Sequence, residues 1–345
     1  MIVAGLFMAP PAQASLDVYD ATTTPPMVTV VMSRSEITAA DDMLGKEPTG
    51  PCTADYRNIV PLPGVLKWIA TNTPKVQLTG SVETAVTKDT SDWCAHQGES
   101  FGASWQQLRS FSSQYGMHFI SHSANYPQNW TNVPSTWVDP YGGSDRLADW
   151  QNWETCGSRD AITAHGLLGA DGQFNWPNSV TDPTVMANDV LACFYMQRSY
   201  SGTSYINTAA SVEGNQNTDV TKALSGGHCN ELNLPCSNPP GLACTTCRYT
   251  TPLSMINMIN NLKPGQALNL QAYVLVAGTN PVYTTNQDQW DCTNPDPAYH
   301  WSNDAERYCF ADFARVMQAI QKNPNVVVTD PEGEAQNWGM SPPTR

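Results

Sequence analysis

The fold is decided by residues 105–127, which read Trp105-Gln-Gln-Leu-Arg-Ser-Phe-Ser-Ser-Gln-Tyr-Gly116-Met-His-Phe-Ile-Ser-His122-Ser-Ala-Asn-Tyr126-Pro127. Apolar residues recur at helical spacing from Trp105 to Phe111, and Gly116 is of the residue type that commonly ends a helix. Residues 118–121 then form a short strand that leads into the polar His122. A helix followed directly by a strand is half of a βα unit, and such units build parallel sheets. The stretch therefore predicts an α/β fold with a polar side chain at a strand end.

The same alternation extends in both directions along the chain. The predicted strands are residues 27–32, 75–80, 118–121, 268–276 and 326–329, and the predicted helices are residues 63–71, 105–115, 252–262 and 304–321. Asn303 and Glu306 have the spacing of a capping box for the last helix. Because right-handed crossovers and this chain length favour closure, we predict a (β/α) barrel rather than an open sheet.

Composition excludes two classes of partner. The 345 residues carry a formal net charge of -14, and only 14% of them are charged. Phosphate binding needs clustered Lys and Arg, so nucleic acid is excluded as a partner. An acidic surface equally disfavours anionic lipid, and no stretch approaches the ~20 apolar residues of a membrane-spanning helix.

The N-terminus has the pattern of an export signal. An apolar run over residues 1–9 leads into Ala12-Gln-Ala14, a small-x-small pattern that suits signal peptidase. The usual basic region is missing, and an apolar arm packed on the fold is the alternative. We predict that residues 1–14 are the remnant of a signal peptide, that residues 15–345 form a single domain, and that the protein is a secreted, extracellular monomer.

The ten cysteines fit this prediction. In an exported protein an even number implies up to five disulfides. We expect bridges to close the loops around residues 229–247 and 292–309, the latter by pairing Cys292 with Cys309. The alternative is a zinc site, for which only Cys244-Thr-Thr-Cys247 has the close spacing of a zinc knuckle.

Residues 105–127 resemble the second signature of polysaccharide deacetylases of the NodB-homology type. In that family a helix ending in Gly precedes a strand that ends Ser-His-Ser/Thr-x-x-His-Pro. His122, Ser123 and Pro127 match this signature, whereas Tyr126 stands in place of the second His. The order of elements from residue 27 to 330 is also similar. The resemblance implies a deacetylase-like barrel that is distorted and seven-stranded, with long disulfide-braced loops.

The resemblance also implies a metal site, from which this chain departs. The family's first signature has two successive Asp at the end of the first strand, where this chain reads Ser33-Arg34-Ser35-Glu36. Of the family's metal triad of one Asp and two His, His122 alone is left. Three protein ligands are the usual minimum, and the charge of Arg34 repels a cation. We therefore predict no metal and no other cofactor; the alternative is replacement ligands from loops, namely Asp41, Asp42, Asp139 or Asp145.

The candidate site residues come from the strand ends and the loops behind them. We predict that His122, Glu36 and His300 are catalytic. We predict that Arg34, Ser123, Tyr126, Asn175, Trp176, Gln271, Tyr273 and Trp290 bind substrate. Residues 174–177 correspond loosely to the family's third signature, and residues 271–273 or His300 to its late His-containing signature. An indole face such as that of Trp290 suits stacking on the apolar face of a sugar, although a Trp is as often a core residue.

The function predicted from these observations is that of a secreted carbohydrate-active hydrolase. It would hydrolyse an acetyl amide or ester of a polysaccharide or oligosaccharide without a metal, or cleave the glycan with rearranged residues. The alternative is a non-catalytic glycan-binding or cell-wall-binding protein that kept the groove and lost the metal.

Overall fold

The structure is a computed structural model that describes residues 23–32, 62–85, 87, 103–177, 180–199, 206–209, 217–219, 221–224, 252–272, 274–276 and 307–345. Its strands are β1 (Met27–Met32), β2 (Leu78–Val82), β3 (His118–Ser121), β4 (Gln173–Asn175), β5 (Met196–Ser199), β6 (Ile206–Thr208), β7 (Asn217–Asp219), β8 (Thr221–Leu224), β9 (Gln266–Ala272), β10 (Val274–Val276), β11 (Arg307–Cys309) and β12 (Val327–Val328). Its helices are α1 (Leu62–Asn72), α2 (Trp105–Tyr115), α5 (Pro252–Asn261), α6 (Phe310–Lys322) and α7 (Pro331–Asn337), together with two interrupted helices. Of these, α3 runs from Arg146–Asn152 through a π-helical turn, Trp153–Gly157, to Ser158–Ala164, and α4 runs from Pro183–Val185 through a second π-helical turn, Met186–Val190, to Leu191–Cys193.

The main sheet closes on itself. Its neighbouring strands run in the order β9-β1-β2-β3-β4-β5-β7, and every one of these pairs is parallel. Strand β7 pairs with β5 at one edge, and β8, which starts two residues after β7 ends, pairs in parallel with β9 at the other edge. Strands β7 and β8, which follow one another closely along the chain, therefore link the two edges. The result is a distorted (β/α) barrel of seven strands, which confirms the predicted fold class.

Three short strands supplement the barrel. Strand β6 lies antiparallel to the start of β9, and β12 lies parallel to the start of β1. Strands β10 and β11 form a separate parallel pair.

The helices cover one face of the strands with an apolar core. Side chains at alternate positions of β1, β2, β3 and β9 join those of α1, α2, α5 and α6 in one buried cluster. Val28, Val30 and Met32 show this period of two on β1, and Leu268, Leu270 and Ala272 show it on β9. Because successive side chains of a strand point to opposite faces, the residues between these positions face the barrel interior.

Helix α2 and strand β3 fold as predicted. Helix α2 begins at a capping box formed by Ser104 and Gln107, and Gly116 ends it in a left-handed conformation, with φ 66°. A Cβ in this conformation would meet the carbonyl, so glycine is favoured there. The short connection brings β3 directly beside β2.

Other element boundaries differ from the predicted ones. Strand β2 runs from Leu78 to Val82 instead of over residues 75–80, since residues 73–76 form a turn after α1. Helix α6 begins at Phe310 and not at residue 304, because residues 307–309 pair with β10. In the described part of the chain, no helix is long and apolar enough to cross a membrane.

A disulfide between Cys156 and Cys193 joins α3 to α4. Both sulfurs lie in a buried cluster with Trp130, Phe174 and Trp176 on the outer face of β4. This bridge was not among the predicted pairings, although it fits the predicted use of cysteine. The loops around residues 229–247 and the residues from 1 to 22, including the predicted signal remnant, lie outside the described residues.

Candidate functional site

The interior of the barrel is polar. The inward positions of β1, β2, β3 and β9 include Thr29, Thr79, Ser81, His122, Asn269 and Gln271, all of them fully or nearly fully buried. An apolar side chain would suit such a place, since burying a polar group costs free energy unless it is hydrogen-bonded. Core packing alone does not explain so many buried polar groups, so the barrel interior is the candidate functional site.

Four of the inward polar residues stand side by side at the carboxyl ends of adjacent strands. The pairing of Val82 with Ser121 continues through a hydrogen bond from His122 N to Val82 O, which sets Glu83 beside His122. Ser121 pairs with Phe174, which sets His122 beside Asn175, and Asn175 pairs directly with Arg198. Neighbouring strands are about 4.8 Å apart, so Glu83, His122, Asn175 and Arg198 form one row across β2 to β5. We call these four residues the polar row.

The imidazole of His122 is held in one orientation. Its Nδ1 lies 3.0 Å from the backbone oxygen of Asn175, and a carbonyl can only accept, so Nδ1 carries the proton. In the neutral ring Nε2 then presents a lone pair. The Tyr126 ring meets the imidazole edge-to-face, with centroids 4.9 Å apart. This arrangement suits a base, or an acceptor for a substrate hydroxyl.

The turn after β3 is strained. Ser123 and Tyr126 have φ values of 69° and 57°, the only positive values among the non-glycine residues that the structure describes. Each such residue costs on the order of 1–3 kcal/mol and persists only where its surroundings enforce it. Ser123 Oγ accepts from Tyr126 N at 2.9 Å, and Ser123 N donates to Ser121 Oγ at 3.0 Å. Ser121 Oγ is in turn bonded to Ser158 Oγ on α3, so the turn is tied to that helix.

Glu154 braces the same turn from the π-helical segment of α3. Its Oε2 accepts the N–H groups of Ala124 at 3.0 Å and Asn125 at 2.8 Å, and the side chain is fully buried. Burial raises the pKa of the Glu154 carboxyl to about 7; the two N–H groups oppose this rise and the charge of Glu83 adds to it. A π-helical turn is rare and is often found at functional sites.

The described residues do not fit the metal site of the resembled family. No group of three His, Cys, Asp or Glu side chains in the described ranges is placed to hold a metal ion. Tyr126 occupies the position of the second His, and a phenol with its usual pKa of about 10 is a poor ligand when protonated. Asp139 and Asp145 do not join His122: Asp139 caps its own turn, and Asp145 caps the start of α3.

The structure brings together some of the predicted site residues. His122, Asn175 and Tyr126 meet at the carboxyl end of the barrel, and Gln271 is an inward residue of β9, level with Val31. Ser123 is fully buried and uses its hydroxyl within the turn. Glu36, His300, Arg34, Tyr273 and Trp290 lie outside the described residues.

Trp176 is placed differently from the prediction. It has no exposed surface, makes edge-to-face contacts with Trp130 and Phe174, and donates its indole N–H to Gln197 Oε1 at 2.5 Å. Strand alternation explains this position, because Trp176 follows the inward Asn175 and therefore faces the helices. A side chain that faces the helices does not reach the barrel interior, so the structure does not place Trp176 with the polar residues there.

Sequence reasoning missed Glu83, Glu154 and Arg198. Glu83 carried a usable signal, since it is the first charged residue after a predicted strand. Arg198 and Glu154 carried none, because the short β5 and the π-helical turn leave no recognisable pattern.

Comparison with known proteins gives likenesses in fold. No protein-family model matches the sequence, and no curated protein matches it. The chain is similar to a crystal structure titled "putative polysaccharide deacetylase from Mycobacterium smegmatis", with 15% identity and a TM-score of 0.48 over 93% of this chain and 94% of that chain. It is similar to a "probable Polysaccharide deacetylase from Pseudomonas aeruginosa PAO1", with 11% identity and a TM-score of 0.44 over 91% of each chain. A 4-alpha-glucanotransferase from Thermococcus litoralis has 10% identity and a TM-score of 0.43 over 91% of this chain and 40% of that chain. These likenesses say nothing of the chemistry of this chain.

Proposed function

We propose that the protein is a carbohydrate-active hydrolase that removes acyl groups, with the polar row as its reactive centre. The observation that carries this proposal is the register that sets Glu83, His122, Asn175 and Arg198 side by side at the carboxyl ends of β2 to β5. Sites of (β/α) barrels lie at this end of the strands. Titratable groups that converge there favour a catalyst over a protein that only binds glycans.

The proposed reaction uses His122 as a proton carrier. Its Nε2 takes a proton from water, and the water oxygen attacks the carbonyl carbon of the acetyl group. The Arg198 guanidinium and the Asn175 side-chain amide stabilise the oxyanion that forms. His122 then gives the proton to the departing sugar nitrogen or oxygen as the bond to carbon breaks, which leaves acetate and the free amine or hydroxyl. The neighbouring Glu83 stabilises the transient imidazolium.

A product assay tests the proposal. The whole protein, with its disulfides intact, is incubated with acetylated xylan and with N-acetylglucosamine oligomers, and released acetate and new reducing ends are measured. We expect acetate release, and we expect His122→Ala to lower it by about 100-fold or more. His165→Gln is the matched control, because His165 lies just past the end of α3, stacked on Trp105, and is expected to leave the rate unchanged.

Two results would contradict the proposal. New reducing ends without acetate would make the protein a glycan-cleaving enzyme that uses the same residues differently. Binding of the oligomers with neither product would support the non-catalytic alternative.

A further inference from the structure

Glu154 is a buried carboxylate that hydrogen-bonds the turn after β3, although the proposed reaction gives it no part. Its Oε2 is the acceptor for two successive backbone N–H groups, those of Ala124 and Asn125. Both donors lie between Ser123 and Tyr126, the two described non-glycine residues with positive φ. The carboxylate therefore bonds two N–H groups in the middle of the strained turn, while the carbonyls of Ser123 and Ala124 accept from Thr84 N and Ala85 N.

The turn controls the surroundings of His122. Ser123 directly follows His122, and the Tyr126 ring packs against the imidazole. If residues 124 and 125 lost their acceptor, the backbone could relax toward ordinary φ values, which would move both the Tyr126 ring and the direction of the His122 side chain. A small displacement of this kind is costly in a reaction that depends on alignment.

The helix that carries Glu154 is fixed in place. Cys156, two residues later in the same π-helical turn, is joined to Cys193 on α4. Ser158, one turn later, bonds the hydroxyl of Ser121 at the end of β3. The acceptor that Glu154 offers to the turn is therefore held by a fixed part of the fold.

The charge of Glu154 sets the strength of this bond, because hydrogen bonds to an ionised acceptor are roughly twice as strong as neutral ones. Its pKa, raised to about 7 chiefly by burial, places the change of charge near neutral pH. Glu83 is the charged group that acts on it from another element, and the turn itself contributes only backbone N–H groups. On α4, Asp189 pairs with Arg345 instead.

We infer that Glu154 is a positioning residue whose ionised carboxylate holds the 123–126 turn, and with it His122 and Tyr126, in the arrangement that hydrolysis requires. This inference rests on the proposed function for its catalytic consequence, but its structural part is independent of any activity.

The structural part is tested by NMR on the whole, unreduced protein. The assigned amide protons of Ala124 and Asn125 are followed from pH 5 to pH 9. We expect both to move downfield as Glu154 ionises, with a shared midpoint near pH 7, because a charged acceptor strengthens the bond. We expect E154Q, which keeps an acceptor oxygen but no charge, to abolish the transition. D189N is the matched control: it neutralises a second buried carboxylate in a π-helical turn without touching the turn after β3, and should leave the transition in place.

The catalytic part is tested by the pH profile of acetate release. We expect the ratio of wild-type to E154Q kcat to rise through pH 7 to about tenfold at pH 8, while the ratio of wild type to D189N stays near one at every pH, with KM changed by less than about threefold. The ratio removes the contribution of the His122 base, which is common to all three proteins. Unmoved wild-type amide signals, or a transition that survives in E154Q, would overturn the inference whatever the activity. Moving amides in a protein that releases no acetate would overturn the proposed function instead and leave the positioning role standing.

Discussion

Two buried glutamates, one at each end of the barrel, have the same raised pKa in different surroundings. Glu154 lies by the carboxyl ends of the strands, and Glu334 reaches the interior from α7, beyond the amino ends; burial raises the pKa of each to about 7. Glu154 accepts hydrogen bonds from the backbone of a strained turn, and the charge of Glu83 contributes to its raised pKa. Glu334 accepts from the Thr29 hydroxyl at 2.7 Å and lies on a regular helix that packs over the barrel floor.

The comparison teaches that a perturbed pKa does not by itself mark a reactive site. Both shifts come from the same loss of solvation. What separates the two carboxyl groups is the backbone beside them. Glu154 bonds a strained turn, whereas Glu334 bonds the side chains of Thr29 and Asn269 on regular strands. The second carboxylate at the Glu334 end, Asp330, is paired with His118 and caps α7. The proposed reaction is therefore placed at the Glu154 end, and we expect Glu334 to have a structural role.

The largest expected effect is on stability, and it comes from removing the disulfide near Glu154. Among the described residues, the disulfide between Cys156 and Cys193 ties the Glu154 end alone, and it closes a loop with a sequence separation of 37. Replacing Cys156 and Cys193 together by Ala is expected to lower the free energy of unfolding by roughly 3–4 kcal/mol, through the greater freedom of the unfolded chain. Urea unfolding followed by tryptophan fluorescence measures this. A loss below about 1 kcal/mol would mean that packing alone fixes the π-helical turn.

The next effect is the pH dependence of stability that Glu334 causes. A group whose pKa is raised on folding destabilises the fold as pH increases from its unfolded to its folded pKa. For Glu334 the rise is from 4.5 to about 7, which at about 1.4 kcal/mol per pH unit is about 3 kcal/mol. We expect E334Q to match the wild type near pH 4 and to be more stable by up to about 3 kcal/mol at pH 9, as measured by urea unfolding. Acetate release should be unchanged; a large loss of activity in a folded E334Q protein would contradict the division between the two ends.

The smallest effect concerns the hydrogen bond that Glu334 accepts. Thr29→Val keeps the shape of the side chain and removes the donor. We expect a loss of about 1 kcal/mol at pH 5, where the carboxyl group is neutral, and a larger loss at pH 9, where the bond is charge-assisted. Unfolding curves at the two pH values give the difference. Equal losses at both would show that Glu334 does not change its charge over this range.

The sequence was most informative where a periodic pattern and a punctuating residue coincide. Helix α2 and strand β3 match their predicted bounds because a capping box begins the helix, Gly116 ends it, and an apolar run follows at once. Strand β1 was equally clear, since all six of its residues are buried. Strands β4 to β8 were missed because each has only three or four residues and none shows a pattern long enough to recognise.

The candidate site was predictable only in part, for a similar reason. His122 stands at the end of a recognisable strand, so its position followed from the sequence. Arg198 lies in the same row as His122 because β5 pairs with β4 in a particular register. Glu154 approaches the turn after β3 from a π-helical turn of α3. Both placements depend on contacts between distant segments of the chain. Trp176 shows the opposite failure: it lies one residue past an inward position, and that single step moves an indole from the interior to the helix side.

The pairing of β1 has a consequence for how the molecule assembles. Met27 pairs with Ala267 and with Val327, so one of the first strands to be synthesised has partners hundreds of residues later in the chain. Contacts of such long range are slow to form, because the intervening loop must be closed before any of them stabilises the fold. Strands β2 to β5 can pair early with one another, but the ring is completed only after β9 is made. We expect the closed barrel to form late, in a nearly complete chain, with the unpaired edge of β1 as the surface that most needs protection until then.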